Sequence, residues 1–321
     1  MPVGNSEHGV GMWKGQMMLT VDNSFQYIDW SHGPVGNENF DHAGSMLTYT
    51  TNFGFSVGLT DYWNIQLSQI FAYRYMHFHT DEISVHHRDE GSSNPFQNAI
   101  GGYLGDAQIN IKYLHQNAGK GPGKRILFGL GIISPSKNEL TSNPFETYIN
   151  DDGEEVYDEH RHFALSDGAY KGKLELQYYI KRTKSPYFIG TSIGYTKPLG
   201  RSDYDYLPSE MLNISLTSFF GMFKPIKNTA WGLNFSYSKT TDAKWGDSIA
   251  PNSKGSIIQP GISFVRTLAS GGALTVAIVK PVFLSGNYGG SEGTDDESTN
   301  IWQINIGYRK IFDEPFPLLD N

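Results

Sequence analysis

The sequence predicts an all-β chain, an antiparallel up-and-down transmembrane β-barrel of about 12 strands, and three observations predict it. Apolar and polar residues alternate with a period of two along runs longer than an ordinary strand. Short and long connections take turns from one end of the chain to the other. Acidic residues crowd the long connections, while lysines and arginines gather at the short ones. A globular strand has about 5–6 residues, whereas a tilted strand needs about 9–11 to cross a bilayer. Alternation over that length places one face in lipid and the other in an enclosed polar interior.

The stretch Met46 to Tyr75 shows the pattern best. Leu47, Tyr49, Thr51, Phe53, Phe55, Val57 and Leu59 share one parity, and Met46, Thr48, Thr50, Asn52, Gly54, Ser56 and Gly58 share the other. After Thr60-Asp61-Tyr62 the register resumes with Trp63, Ile65, Leu67, Phe71, Tyr73 and Tyr75 outward and Asn64, Gln66, Ser68, Ala72 and Arg74 inward. This is a long hairpin, apolar outside and polar inside.

Taken in order, the first strand runs from Gln16 to Ile28, and a polar loop, Trp30 to Ser45, leads into the hairpin. A charged connection, His77 to Leu104, precedes Asp106 to His115, which turns Ala107, Ile109, Ile111 and Tyr113 outward. A short Gly- and Lys-rich turn feeds Arg125 to Ile133, and the longest connection, Ser134 to Gly168, follows. Tyr170 to Arg182 and Tyr187 to Lys197 flank the turn Thr183 to Pro186. Glu210 to Lys224 and the strand marked by Trp231, Leu233, Phe235 and Tyr237 flank Pro225 to Asn228. Ser256 to Thr267 is expected to be interrupted by Pro260, which has no N–H to give a ladder. Ala273 to Leu284 and Ile301 to Phe312 close the set, with an acidic loop, Ser285 to Thr299, between them. Short turns on one side and long loops on the other are the rhythm of a bacterial barrel. One domain is expected over 1–312, with 1–15 as an N-terminal periplasmic segment and 313–321 as a C-terminal tail.

Composition agrees. The 321 residues include 36 Gly, 19 Tyr and 19 Phe, and the mean hydropathy of -0.40 argues against a bundle of membrane helices. The longest apolar run, Ile126 to Ile133, is far short of the roughly 20 residues that a spanning helix requires. A net charge of -8 argues against nucleic acid as a partner, because phosphate binding needs a basic face. The chain has no cysteine, which excludes disulfides and thiolate chemistry and suits export to the bacterial outer membrane. No signal peptide is visible at Met1, so the numbering is expected to describe a processed chain.

Two groups of side chains are candidates for function. The inward charges Asp22, Arg74, Asp106, Lys112, Lys171, Lys173, Glu175 and Arg309 are expected to line the lumen, where charge sets solute selectivity. The competing expectation is that they pair with one another and fill a narrow barrel. His77 and His79, with His86 and His87 beside Asp89 and Glu90, form a candidate loop site for a divalent metal; otherwise no cofactor is expected. Ser45 near His42 lacks a third member, so no catalytic site is expected.

The run YLGDAQINIKYL at 103–114 and the run ILFGLGIISPSK at 126–137 resemble the paired strands of the outer-membrane barrel family named for the meta-pathway of phenol degradation. The hairpin GLTDYWNIQLS at 58–68 is similar to that family too. The family more often has Gly-Leu-Gly-Asp and Pro-Thr-Gly where this chain has Tyr103-Leu104-Gly105-Asp106 and Ser134-Pro135-Ser136-Lys137. The terminal GYRKIF at 307–312 resembles the aromatic-ended signal of barrels recognised for insertion. The resemblance implies an outer-membrane channel or transporter for small solutes in a lipid setting. A structural or docking subunit with envelope protein partners is the alternative.

Overall fold

The computed structural model describes residues 12–33, 41–79, 90–91, 102–117, 121–144, 146–153, 155–157, 164–251, 253–286 and 298–312. Twelve long strands form the wall: β1 (Met17–His32), β2 (His42–Gly58), β3 (Trp63–Phe78), β4 (Leu104–Asn117), β5 (Gly123–Ser134) and β6 (Lys171–Lys181). They continue as β7 (Phe188–Pro198), β8 (Met211–Met222), β9 (Thr229–Thr240), β10 (Gly255–Thr267), β11 (Gly272–Val279, resuming as Val282–Ser285) and β12 (Ser298–Phe312). Each pairs antiparallel with its sequence neighbours, and β12 returns to β1 from Met17↔Phe312 to Ser31↔Ser298. The sheet is therefore closed, and closure removes the edges that an open sheet would expose to lipid.

The outward parity carries the apolar band. Phe53, Leu67, Ile109, Phe128, Leu130, Leu174, Leu216, Leu233, Ile262 and Ile304 are all exposed on it. Aromatic residues rim the short-turn end, where Trp63 lies 4.8 Å from Tyr113 and Phe220 stacks 4.9 Å from Trp231. Tyr27, Tyr75, Tyr103 and Trp302 rim the other end. Two such girdles mark the two membrane interfaces. Polar groups on the outward parity are tied: Asn23 Oδ1 accepts from Tyr49 Oη at 2.9 Å and from Thr51 Oγ1 at 2.8 Å. Gln69 Nε2 donates to the Gly105 carbonyl at 2.8 Å, where the β3–β4 register shifts. Satisfied in this way, they escape the cost of a bare polar group in hydrocarbon.

The structure corrects three expectations. The loop expected from Trp30 to Ser45 is shorter, because β1 continues to His32 and β2 starts at His42, held by an inward-packed Trp30 and Met46. Pro260 does not interrupt its strand. It pairs with Phe235 in an unbroken β10, and its carbonyl accepts from the Lys280 N–H at 2.9 Å. The break falls instead in β11 at Lys280–Pro281, where the missing N–H of Pro281 ends the ladder to β12. The third correction concerns the interior, which turns apolar at the long-loop end. Of the expected N-terminal segment only 12–15 are among the described residues, and the 313–321 tail lies outside them.

Candidate functional site

The interior is the candidate site, and strand parity decides what enters it. Asp22 on β1 is buried and lies in electrostatic reach of Arg309 on β12, since Thr20 pairs with Arg309 and Asp22 with Gly307. Lys112 on β4 faces Glu175 on β6 at 3.5 Å, both nearly enclosed. Higher on the same wall, Lys171 bridges Asp106 at 3.2 Å and Asp167 at 2.8 Å. Arg74 on β3 donates from Nη1 to the Ala164 carbonyl at 3.3 Å, linking that wall to the long connection above. Lys173 lies inward without an ion pair among the described residues. Asp106 is thus brought to Lys171, Lys112 to Glu175 and Asp22 near Arg309.

The middle of the interior is closely packed. Asp22, Gln177 and Ser263 are 1% exposed, Gln26 2% and Gln303 3%, and Gln26 Nε2 donates to Gln303 Oε1 at 3.1 Å. Above that layer the chemistry changes. Ile28 and Trp30 from β1, Met46 from β2, Met76 from β3 and Ile301 from β12 form one buried apolar cluster. Phe78, Ile257 and Phe283 pack against it from the rim of β3, from β10 and from the outer segment of β11. Trp30 meets Phe78 edge-on at 5.8 Å. A second, smaller cluster, Leu114, Leu127 and Tyr179 with Phe188, sits inward at the short-turn end.

Sequence reasoning missed the outer cluster, although a signal was present. Ile28 and Trp30 follow Thr20, Asp22, Ser24 and Gln26 on the inward parity of β1, and Met46, Met76 and Ile301 take inward positions at the same end of their strands. Several parity violations at one height mark a lining.

The outer loops over β4 to β9 are ordered by polar ties. Asn138 Nδ2 donates to the Gly102 carbonyl at 2.7 Å, and Asn138 Oδ1 accepts from the Leu165 N–H at 2.9 Å. Ala243, Trp245 and Ala250 form a small core with Leu140 and Tyr206. Burial pushes the Tyr206 hydroxyl well above its ordinary value, and Asp167 adds to the effect. Burial also pushes the Glu139 carboxyl up; Lys137 opposes the shift, while Asp203 and Asp106 reinforce it.

His77 and His79 stand apart from the lumen. His77 is exposed on the outward parity with its ring 5.4 Å from His79, and His79 Nε2 lies 3.2 Å from Ser45 Oγ. His86 and His87 lie outside the described residues, and no group of three or more His, Cys, Asp or Glu is assembled among the residues described. His42 is buried on the inward parity while Ser45 faces outward, so the two do not meet as base and nucleophile.

No protein-family model matches the chain. No curated protein matches it either. Among solved structures, the COG4313 outer membrane channel from Pseudomonas putida F1 is similar with a TM-score of 0.62 at 9% identity, covering 97% of this chain and 100% of that one. A FadL homologue from Pseudomonas aeruginosa and the CymD monoaromatic hydrocarbon channel each give 0.43 at 8% identity, the former covering 98% and 99%, the latter 94% and 89%. Those two are too distant in shape to argue from. The first likeness and the closed, girdled wall agree on the class: this is a closed antiparallel β-barrel with the fold of an outer-membrane channel.

Proposed function

We propose that the chain is an outer-membrane channel for small apolar solutes, aromatic ones included, and a member of the barrel family named for the meta-pathway of phenol degradation. The observation that carries this reading is the apolar lining of the outer mouth. There Ile28, Trp30, Met46, Met76, Ile257, Phe283 and Ile301 turn inward at a height where a water-filled porin is polar. Such a lining costs an apolar solute no desolvation of polar groups and gives an ion nothing to bind. The fold likeness to an outer membrane channel supports the reading. In it, Asp22, Arg74, Asp106, Lys112, Lys171, Lys173, Glu175 and Arg309 line the polar section below the mouth. Pairing of opposite charges there disfavours the passage of free ions.

The test is uptake of radiolabelled naphthalene by cells producing the chain. Met76→Lys places a cation in the lining, at a cost of about 1–3 kcal/mol, which corresponds to about 5- to 150-fold. Uptake is expected to fall by about tenfold or more while the variant keeps the heat-modifiable gel mobility of a folded barrel. Equal uptake by variant and parent, or a parent no faster than cells lacking the chain, overturns the proposal.

A further inference from the structure

The two ends of the barrel treat charge differently. At the outer end Lys197 meets Glu210 at 3.0 Å, Arg201 meets Asp205 at 3.2 Å and Lys254 meets Asp242 at 3.9 Å, while Lys171 bridges Asp106 and Asp167. At the short-turn end the described residues offer one carboxylate, Asp61, whose Oδ1 accepts from the Lys14 backbone N–H at 3.0 Å. Against it stand Lys124 at the foot of β5, Arg182 and Lys184 in the β6–β7 turn, Lys224 and Lys227 in the β8–β9 turn, and Arg266 at the foot of β10, all exposed. None of them makes a salt bridge among the described residues. Lys310 on β12 extends the arc, its Nζ 5.1 Å from the Phe312 ring centroid.

Parity and height put these charges at the membrane boundary. Lys124 precedes Ile126 and Phe128 on the outward parity of β5, and Arg266 follows Ile262 and Phe264 on that of β10. Two residues along a tilted strand are about 5 Å of height, so the cations sit just outside the apolar band. The girdle of Trp63, Tyr113, Phe220 and Trp231 lies at the same end. A long cationic side chain at that level keeps its stem on apolar surface and its charge among headgroups. There it is drawn to anionic lipid, by an attraction that fades within a Debye length.

Distribution decides the partner. The charges follow the ring from β5 through β10 to β12, and Lys124, Arg266 and Lys310 are on the outward parity, directed away from the barrel axis. A protein docked against the wall meets one side of such a ring. A surrounding leaflet meets all of it.

We propose that this rim binds anionic phospholipid headgroups, phosphate diesters of the phosphatidylglycerol kind, in the leaflet at the short-turn end, which is the periplasmic end of barrels with this topology. The inference rests on the outer-membrane reading and adds the lipid that the barrel selects; it is independent of the solute.

The test refolds the full chain into phosphatidylcholine vesicles carrying a trace of spin-labelled phosphatidylglycerol or spin-labelled phosphatidylcholine, and reads the motionally restricted fraction of each label. Phosphatidylglycerol is expected to be preferred by about threefold at low salt, and the preference is expected to vanish at about 1 M NaCl, where the Debye length is about 3 Å. Lys124→Gln, Lys184→Gln, Lys224→Gln, Lys227→Gln and Arg266→Gln in one chain are expected to abolish it, with the heat-modifiable gel mobility of a folded barrel retained. Lys239→Gln with Lys254→Gln, at the outer end, is expected to leave it unchanged. If the rim variant does not fold, the salt response of the parent decides. A parent with no preference overturns the proposal and points to a rim neutralised by an acidic protein or by Asp313, Glu314 and Asp320 of the tail. A preference that survives high salt or the rim variant overturns it too. A parent that restricts neither label is not in the bilayer, and that result removes the outer-membrane reading as well.

Discussion

Above β4 to β9 the outer end of the barrel is tied by polar contacts and a small core of its own. Above β1 to β3 and β10 to β12 it is lined by apolar side chains, and the β11–β12 ladder stops at Val279↔Gln303. On the first side every strand finds a full ladder, and the loops return to it through Asn138, Asp106, Lys171 and Ala164. On the second, the ladder gives out at Lys280–Pro281 and contacts such as Trp30 against Phe78 take over. Directional bonds fix one geometry, whereas apolar contacts accept many partners at similar cost. In the proposed channel, the difference gives one half of the mouth directional ties and the other an apolar face for solute.

The largest expected effect tests the rigid half from below. Lys112→Met removes the described partner of the enclosed Glu175 carboxylate and is expected to cost about 3–5 kcal/mol in urea unfolding from detergent micelles. Adding Glu175→Leu is expected to recover most of that loss, since an apolar pair needs no charge compensation. If the single change is neutral, the ion pair is not what stiffens this wall.

A smaller effect sharpens the comparison within the loops. Asn138→Ala takes away both the donor to Gly102 and the acceptor for Leu165, leaving a backbone N–H and carbonyl without those bonds. The expected cost is about 1–3 kcal/mol, felt locally as faster amide exchange over 136–140 and 164–166, with the exchange of β1 to β3 unchanged. Spread of the change to β1 to β3 would show that the two halves are one unit.

The smallest concerns pH. Burial raises the Glu139 carboxyl above its ordinary range, so the folded loop holds its proton longer than the unfolded chain does. Its contribution to loop stability is therefore fully present below the unfolded value and is lost as pH rises through the folded one. Protection factors over 136–140, taken relative to intrinsic exchange at each pH, are expected to rise on acidification, and Glu139→Gln is expected to abolish that rise. A pH response that persists in the variant assigns it to another group.

Most of the wall was legible in the chain itself. Parity placed Phe53, Leu67 and Leu233 outside and Asp22, Asp106 and Lys112 inside because strand side chains alternate irrespective of what surrounds them. Connection lengths set the up-and-down order for the same local reason. The candidate site was less legible. Trp30 and Met46 looked like loop residues and an isolated apolar exception, because each violates parity only once or twice in its own strand. Pro260 drew attention as a breaker, although the interruption belongs to Pro281.

By itself, then, the sequence determined the strands, their two faces, their alternating connections and the charges that enter the barrel. These follow from backbone stereochemistry and from the free energy of placing apolar or polar groups in lipid, and both act residue by residue. Only the tertiary structure decided that Ile28, Trp30, Met46, Met76, Phe283 and Ile301 share one height, and that the β11–β12 ladder stops at Val279↔Gln303 beside them. Ring closure sets that register. It brings together strands from the two ends of the chain, and no local pattern carries the relative height of residues so far apart.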